Sequence, residues 1–341
     1  MSALPPLGAL APSSPRQAAG TGLGRSSVAS DRRADRSSRA APASWERTRR
    51  RAFLFGLAPS VLVLAVITLL PALALLVVSF TPLSLTDPAR TFSFADPLVN
   101  YRELLHDQRF LGSIVVQAKL SAASVALQLA VGLGLALLLN AKAAVLSAVR
   151  TAFLIPMVLP PIVVALIWKI MYTPDVSPVH RLLEFMGMPV NSLITHADTA
   201  LWALVAADTW QWFGFTLLMV LASLQMIPDD PLEAARIDGA NRWQLFRYIV
   251  FPYILPVLVV AGLFRLIDSF KAFPLIYVLT NGGPGSVTEV TNYYGFIQAF
   301  NFSYWGYAAA IAVVMLVGVC ILSWLIGRLG DGSAEGGHDE R

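Results

Sequence analysis

Residues 53–80 read FLFGLAPSVLVLAVITLLPALALLVVSF, twenty-eight residues without a single charge. A helix rises about 1.5 Å per residue, so roughly 20 residues cross the ~30 Å of bilayer hydrocarbon and this stretch is long enough to span it. It is too long for the apolar core of a secretory signal, which ends by about 15 residues, and it shows no small-residue cleavage pattern. Comparable stretches recur at about 112–139, 151–172, 200–226, 249–280 and 304–327. The expectation is an all-α polytopic membrane protein with six transmembrane helices. Pro71, Pro156, Pro160, Pro161, Pro256 and Pro274 fall inside these stretches. They predict kinks or broken turns, which membrane helices tolerate where neighbours or a cavity satisfy the freed backbone groups.

Composition agrees. Of 341 residues, 56% are hydrophobic and only 13% charged, with mean hydropathy +0.64. A soluble domain carries about 25% charged residues, so a water-facing surface cannot be covered here, and an ordinary cytosolic enzyme or nucleic-acid binder is excluded. The net charge of +4 is concentrated at one end, since ten of the 25 Lys and Arg precede residue 53. Residues 1–48 are Ser, Pro, Ala, Gly and Arg with almost no aromatic residue; they bury too little to offset ordering entropy and read as a disordered tail. Their Arg-rich, acid-poor composition also fits an organelle transit peptide. A six-helix domain at 49–330 and a short tail at 331–341 complete the division.

With the N-terminus inside, the segments on that side carry 17 Lys and Arg against 4 on the other. Both tails are therefore expected to be cytoplasmic, with Arg47, Arg49, Arg50 and Arg51 as the strongest local anchor. The lone Cys320 sits in an apolar run and four scattered histidines offer no ligand spacing, so no disulfide, metal or cofactor is expected.

The loop after the fourth apolar stretch, residues 227–256, reads IPDDPLEAARIDGANRWQLFRYIVFPYILP. Asp230 suits an N-cap, Pro231 the first helical position and Glu233 the third, which would close a capping box. Gly239 suits the left-handed end of a helix, and a second helix is expected from about Asn241. A two-turn helix is marginal alone. It lies either on the membrane surface, with Arg236, Arg242 and Arg247 near lipid phosphate, or against a partner. Glu233-Ala234-Ala235, Gly239 three residues after Arg236, the Trp243-Gln244-x-Phe246 run, Pro252 and Pro256 together resemble the signature of membrane subunits of bacterial ATP-binding-cassette importers. That resemblance implies a cytoplasmic coupling helix docked in a groove of an ATPase, with Glu233, Ala234, Ala235, Asp238 and Gly239 forming the contact.

Leu279-Thr280-Asn281-Gly282-Gly283-Pro284-Gly285, followed by Thr288, Tyr293, Tyr294 and Ala299-Phe300, is by itself a tight turn. No Gly-Lys-Ser/Thr follows, so it is not a phosphate loop. It resembles the corresponding region in the carbohydrate-uptake branch of these importers, the maltose and glycerol-phosphate permeases. The resemblance covers about residues 50–327. The long N-terminal tail departs from it, as does the lack of the large extra external domain of some maltose-type members.

Charge at membrane depth is costly and either snorkels or marks function. Lys119 and Lys169 lie near expected outer ends and are read as snorkelling. Asp208 and the trio Arg265, Asp268, Lys271 lie deeper, at about 10 Å for Asp208 and about 16 Å for Asp268 by helical rise. The i, i+3, i+6 spacing allows mutual neutralisation, a purely structural reading. Both acids are also expected to face one polar cavity between helices four and five. Trp210, Gln211, Trp212 and Phe215 near Asp208, and Ser269, Phe270 and Tyr277 near Asp268, supply rings and hydrogen-bonding groups suited to a polyol. By the maltose-type resemblance Asp208, Trp212, Phe215, Asp268, Ser269 and Ala272 take lining positions; Gln211 and Lys271 complete the candidate substrate path.

The resemblance thus implies a bacterial or archaeal inner-membrane permease subunit, in contact with the lipid bilayer, for an ATP-driven importer of a sugar, sugar alcohol or oligosaccharide. It implies as partners a second permease subunit, an ATPase dimer and an external binding protein, no nucleic acid, and no enzymatic step on this chain. The alternative is an ion-coupled secondary carrier with a cation at Asp208 or Asp268. That reading predicts an internal repeat, and none is evident between 53–172 and 200–327.

Overall fold

The computed structural model describes residues 43–140, 144–174, 176–187 and 192–335, with no strand among them. Residues 1–42 and 336–341 of the expected tails lie outside the described residues. Helix α1 runs Ala43–Ser79, and the last described helix, α10, runs Trp305–Glu335. The chain divides into two units at Thr68, and every contact below belongs to the second, Leu69–Arg341.

Among the described residues, five helical stretches are long and apolar enough to cross a membrane: Gly56–Ser79 of α1, α2 (Gln108–Leu139), α5 (Ala197–Leu224), Arg242–Ser269, and Trp305–Arg328 of α10. The expected third span is a bent pair. Helix α3 (Ala144–Val158) and α4 (Pro161–Met171) meet at 99°, and a sixth crossing exists only if the pair is one span. Pro160 is extended (φ −57°, ψ 137°) and Pro161 opens α4, so two consecutive amide donors are missing and the residue before each proline is kept from helical geometry.

The stretch expected as one helix over 249–280 is also divided. It begins inside a continuous run, Arg242–Ser269, made of α7 (Arg242–Leu245), a π-helical turn Phe246–Val250 and α8 (Phe251–Ser269). In a regular helix the Pro252 ring would press on the Tyr248 carbonyl, and the wider turn relieves that clash. After Ser269 the Lys271 amide folds back to the Asp268 carbonyl and the Phe273 amide to Lys271, each at 2.8 Å. A separate helix, α9 (Phe273–Leu279), then starts with Pro274 in its first turn. Pro71, Pro156 and Pro256, by contrast, are carried inside continuous helices.

Helix α5 is the hub of the second unit. One stripe of α2 faces inward at helical spacing through Ser113, Gln117, Ser121, Ser124, Gln128 and Gly132. At Gly132 the two helices touch: a Cβ there would stand 2.5 Å from Thr216 Cβ and 2.9 Å from the Leu217 amide nitrogen. Buried Leu120, Tyr172, Leu204 and Ile276 form one apolar core, and Leu217, Val220 and Ile254 a second.

The start of α2 is pinned by polar contacts. Asp107 caps it, accepting from the amides of Arg109 (2.9 Å) and Phe110 (3.2 Å) and from the Tyr294 and Tyr307 hydroxyls (2.5 Å each). Arg109 makes a bidentate pair with the buried Glu289, at 2.8 and 2.7 Å. Burial opposes the charge on Asp107, but the donated hydrogen bonds outweigh it and hold its carboxyl below the usual carboxylate value of 3.8.

Candidate functional site

The loop after α5 forms a short helix, α6 (Asp229–Ile237), starting two residues earlier than its sequence suggests. Pro228 is the extended residue before it and makes no side-chain cap, so Asp230 is not the N-cap and Glu233 closes no capping box. The first four amides of a helix lack intrahelical partners, so Pro231 fits in the third position as well as in the first. Both Asp229 and Asp230 then sit in the first turn, where the helix dipole favours them. The capping box lies instead on α7, where Asn241 Oδ1 accepts from the Gln244 amide (2.9 Å) and Gln244 Oε1 from the Asn241 amide (2.8 Å).

The far end of α6 is as its sequence suggests. Gly239 takes φ +85°, the Gly239 amide bonds to the Arg236 carbonyl (3.1 Å), and the Ala240 amide reaches Ala235 (2.9 Å). This is the paired-bond termination that a left-handed residue permits. No residue of α6 is buried; Ile237 is 86% exposed and neighbouring Trp243 68%. Glu233, Ala234, Asp238 and Gly239 are exposed and Ala235 is half-buried, so this group presents an open, partly apolar surface.

The second candidate group surrounds a cavity of about 200 Å³ between α5, the start of α4 and the break after α8. Asp208, Gln211, Trp212, Asp268, Lys271 and Ala272 line it, with Pro161, Pro274 and Leu275. Two proposed lining residues stand elsewhere. Phe215 packs edge-on against Phe264, ring centroids 6.4 Å apart. Ser269 is buried and donates to Ser121 Oγ at 2.7 Å, so its hydroxyl is spent on α2. Nor do the other rings gather around the acids: Trp210 packs on Trp168 (5.9 Å), Tyr277 stacks on Phe273 (5.4 Å), and Phe270 lines a separate apolar groove.

Asp208, 5% exposed, and Arg265, 2% exposed, are joined by a residue that the sequence reading passed over. Gln128, on α2, donates from Nε2 to Asp208 Oδ2 (2.8 Å) and accepts at Oε1 from Arg265 Nε (2.8 Å). Arg265 Nη1 continues to Asp268 Oδ2 (2.9 Å), and Lys271 Nζ bonds Asp268 Oδ1 (3.0 Å). The Arg265 guanidinium also lies 4.3 Å from the Trp212 ring centroid, a cation–π contact. The expected mutual neutralisation of Arg265, Asp268 and Lys271 is therefore present, although Lys271 lies beyond the end of α8. A glutamine at inward spacing with Ser121 and Ser124 in an apolar span was the available signal for Gln128. Lys119 and Lys169 are exposed, as snorkelling requires. Among the described residues no cluster of His, Cys, Asp and Glu forms a metal site.

These features agree with comparisons to known proteins. A permease protein of Thermococcus litoralis, described as "Trehalose/maltose transport system permease protein MalF", is 38% identical over 231 residues, covering 67% of this chain and 77% of its own. A Mycobacterium tuberculosis protein, "Trehalose transport system permease protein SugA", is 32% identical over 292 residues, covering 85% and 92%. The fold matches a crystal structure of a bacterial ABC transporter involved in the import of the acidic polysaccharide alginate, with TM-score 0.71 at 21% identity over 85% of this chain and 99% of that one. The family model for the binding-protein-dependent transport system inner membrane component matches residues 128–331. The chain belongs to the family of binding-protein-dependent transport system inner membrane components.

Proposed function

We propose that this chain is the permease subunit of an ATP-driven importer for an uncharged, polyhydroxylated solute of the sugar class. The observation that carries the solute class is the cavity at Asp208, Gln211, Trp212, Asp268 and Lys271. Two acids there are balanced by Arg265 and Lys271, so the site carries no net charge to attract an ionic solute. An indole face beside hydrogen-bonding groups matches the C–H face and hydroxyls of a sugar. The relatives described as trehalose and maltose permeases support the same class. At about 200 Å³ the cavity is smaller than the ~300–1,000 Å³ of ligand pockets, so a disaccharide enters only when the surrounding helices part.

ATP is hydrolysed on a separate ATPase subunit, and this chain makes or breaks no covalent bond. The exposed group Glu233, Ala234, Ala235, Asp238 and Gly239 is the ATPase contact, and with the bent pair α3–α4 counted as one span, α6 and both termini lie in the cytoplasm. A second permease subunit, an ATPase dimer and an external binding protein complete the transporter. Family membership leaves the ion-coupled carrier without support.

The test is uptake of a sugar panel including trehalose and maltose by the reconstituted complex, normalised to assembled transporter. Asp208→Asn, Trp212→Ala and Asp268→Asn are each expected to assemble while raising KM at least about tenfold or shifting preference, as loss of a charge-assisted hydrogen bond at the two acids and of ring packing at Trp212 implies. Unchanged uptake and preference in all three overturn the site and leave the family intact.

A further inference from the structure

Three side chains that line the cavity, Asp208, Trp212 and Asp268, are each held by Gln128 or Arg265, neither of which lines it. The polarity of that support is fixed. Arg265 can only donate, so Gln128 must turn Oε1 toward it, at 2.8 Å from Nε. Nε2 of Gln128 is then committed to Asp208, donating to Oδ2 at 2.8 Å and standing 3.3 Å from the Asp208 carbonyl oxygen. A flipped amide would set an acceptor against the carboxylate and a donor against the guanidinium. Gln128 is fully buried, so bulk solvent cannot reach it to rescue a mismatch. It acts as a coupler, taking a hydrogen bond from α8 and passing one to α5.

Resting on the cavity reading above, we infer that Gln128 is a specificity-determining positioning residue, which through Arg265 fixes the acceptor pattern the cavity offers to a sugar's hydroxyls. A carboxylate has about four acceptor sites. With one oxygen of Asp208 held by Gln128, its remaining capacity faces in a set direction, and the Asp268 carboxylate is fixed likewise between Arg265 and Lys271. Acceptors in fixed places discriminate a solute bearing a given hydroxyl from the analogue lacking it, because the unmatched site is left unpaired. A loose carboxylate adapts to either. Gln128 therefore acts on KM and on selectivity rather than on turnover.

The experiment uses the full reconstituted complex with trehalose, maltose and their monodeoxy analogues, scoring KM and Vmax per assembled transporter. Gln128→Glu keeps the acceptor for Arg265 but sets two carboxylates against each other. It is expected to raise KM at least about tenfold and to erode discrimination against the deoxy analogues, with Vmax within about twofold. Gln128→Met, similar in shape and without an amide, carries the same expectation and guards against a charge effect on folding. Adding Asp208→Asn to Gln128→Glu restores a donor opposite an acceptor and leaves the new amide's oxygen toward the cavity, so discrimination is expected to recover toward that of the wild type. A fall in Vmax at unchanged KM and selectivity, failure of both single variants to assemble, or no rescue in the double variant overturns the inference. If Asp208→Asn and Trp212→Ala alone change nothing, the cavity reading fails; if they change uptake while Gln128→Glu does not, only this inference fails.

Discussion

The α6–α7 loop and the Asp208–Gln128–Arg265–Asp268 cluster are built by opposite means. In the loop, every polar contact that shapes it joins residues at most five apart: the Asn241–Gln244 box, the Gly239 bond to Arg236 and the Ala240 bond to Ala235. None of its residues is buried. In the cluster, Gln128 meets partners 80 and 137 positions away, and Asp208 and Arg265 are almost completely buried. The loop keeps its shape from its own sequence and offers a face, whereas the cluster exists only when three helices are packed together. A surface that must engage another subunit benefits from the first arrangement, and a site that must hold acceptors at fixed positions requires the second.

That contrast is broken most severely at Arg265. Arg265→Met leaves Asp268, Gln128 and through it Asp208 short of a buried donor, and removal of one partner from a buried pair costs about 3–5 kcal/mol. Thermal melting in detergent is expected to fall steeply and assembled complex to drop. An intact melting temperature would show that the cluster is not a packing element.

Gly239→Val is the matching change in the loop. Nothing lies within 4 Å of a Cβ at Gly239, so the cost is backbone strain alone, about 1–2 kcal/mol at φ +85°. Because the loop is locally built, melting is expected to stay near wild type while co-purification of the ATPase is lost. A lowered melting point with the ATPase retained would reverse the assignment.

The same difference decides what the sequence reveals. The loop's punctuation was legible because Gly239 and Asn241 act on their immediate neighbours, although Pro231 misled the start by two residues, since the whole first turn tolerates a missing donor. The six apolar stretches were legible from length. That Pro160–Pro161 turns the chain through 99°, or that α8 stops at Ser269, depends on packing around the break. Gln128 escaped because a lone glutamine in an apolar span acquires a role only when Asp208 and Arg265 come to meet it, and Phe215 and Ser269 were misplaced because spacing does not say which neighbour claims a side chain.

The smallest expected effect is at the start of α2. Asp107's carboxyl is held below its usual value, so its contribution to stability is full above about pH 3.8 and is lost as pH falls through the lower folded value. The group is half-buried and still reached by solvent, so the effect is slight. Melting curves of wild type and Asp107→Asn are expected to differ at pH 7 and converge on acidification below pH 3.8; a constant gap would remove the charge from the account.

The most direct test of the division between face and cavity measures sugar uptake and ATP hydrolysis in the same proteoliposomes for Glu233→Lys and Trp212→Ala. The account predicts that Glu233→Lys loses both uptake and bound ATPase, whereas Trp212→Ala keeps its ATPase and its basal hydrolysis and raises the KM for sugar. Loss of hydrolysis in Trp212→Ala, or an unchanged KM there together with wild-type uptake in Glu233→Lys, would contradict it.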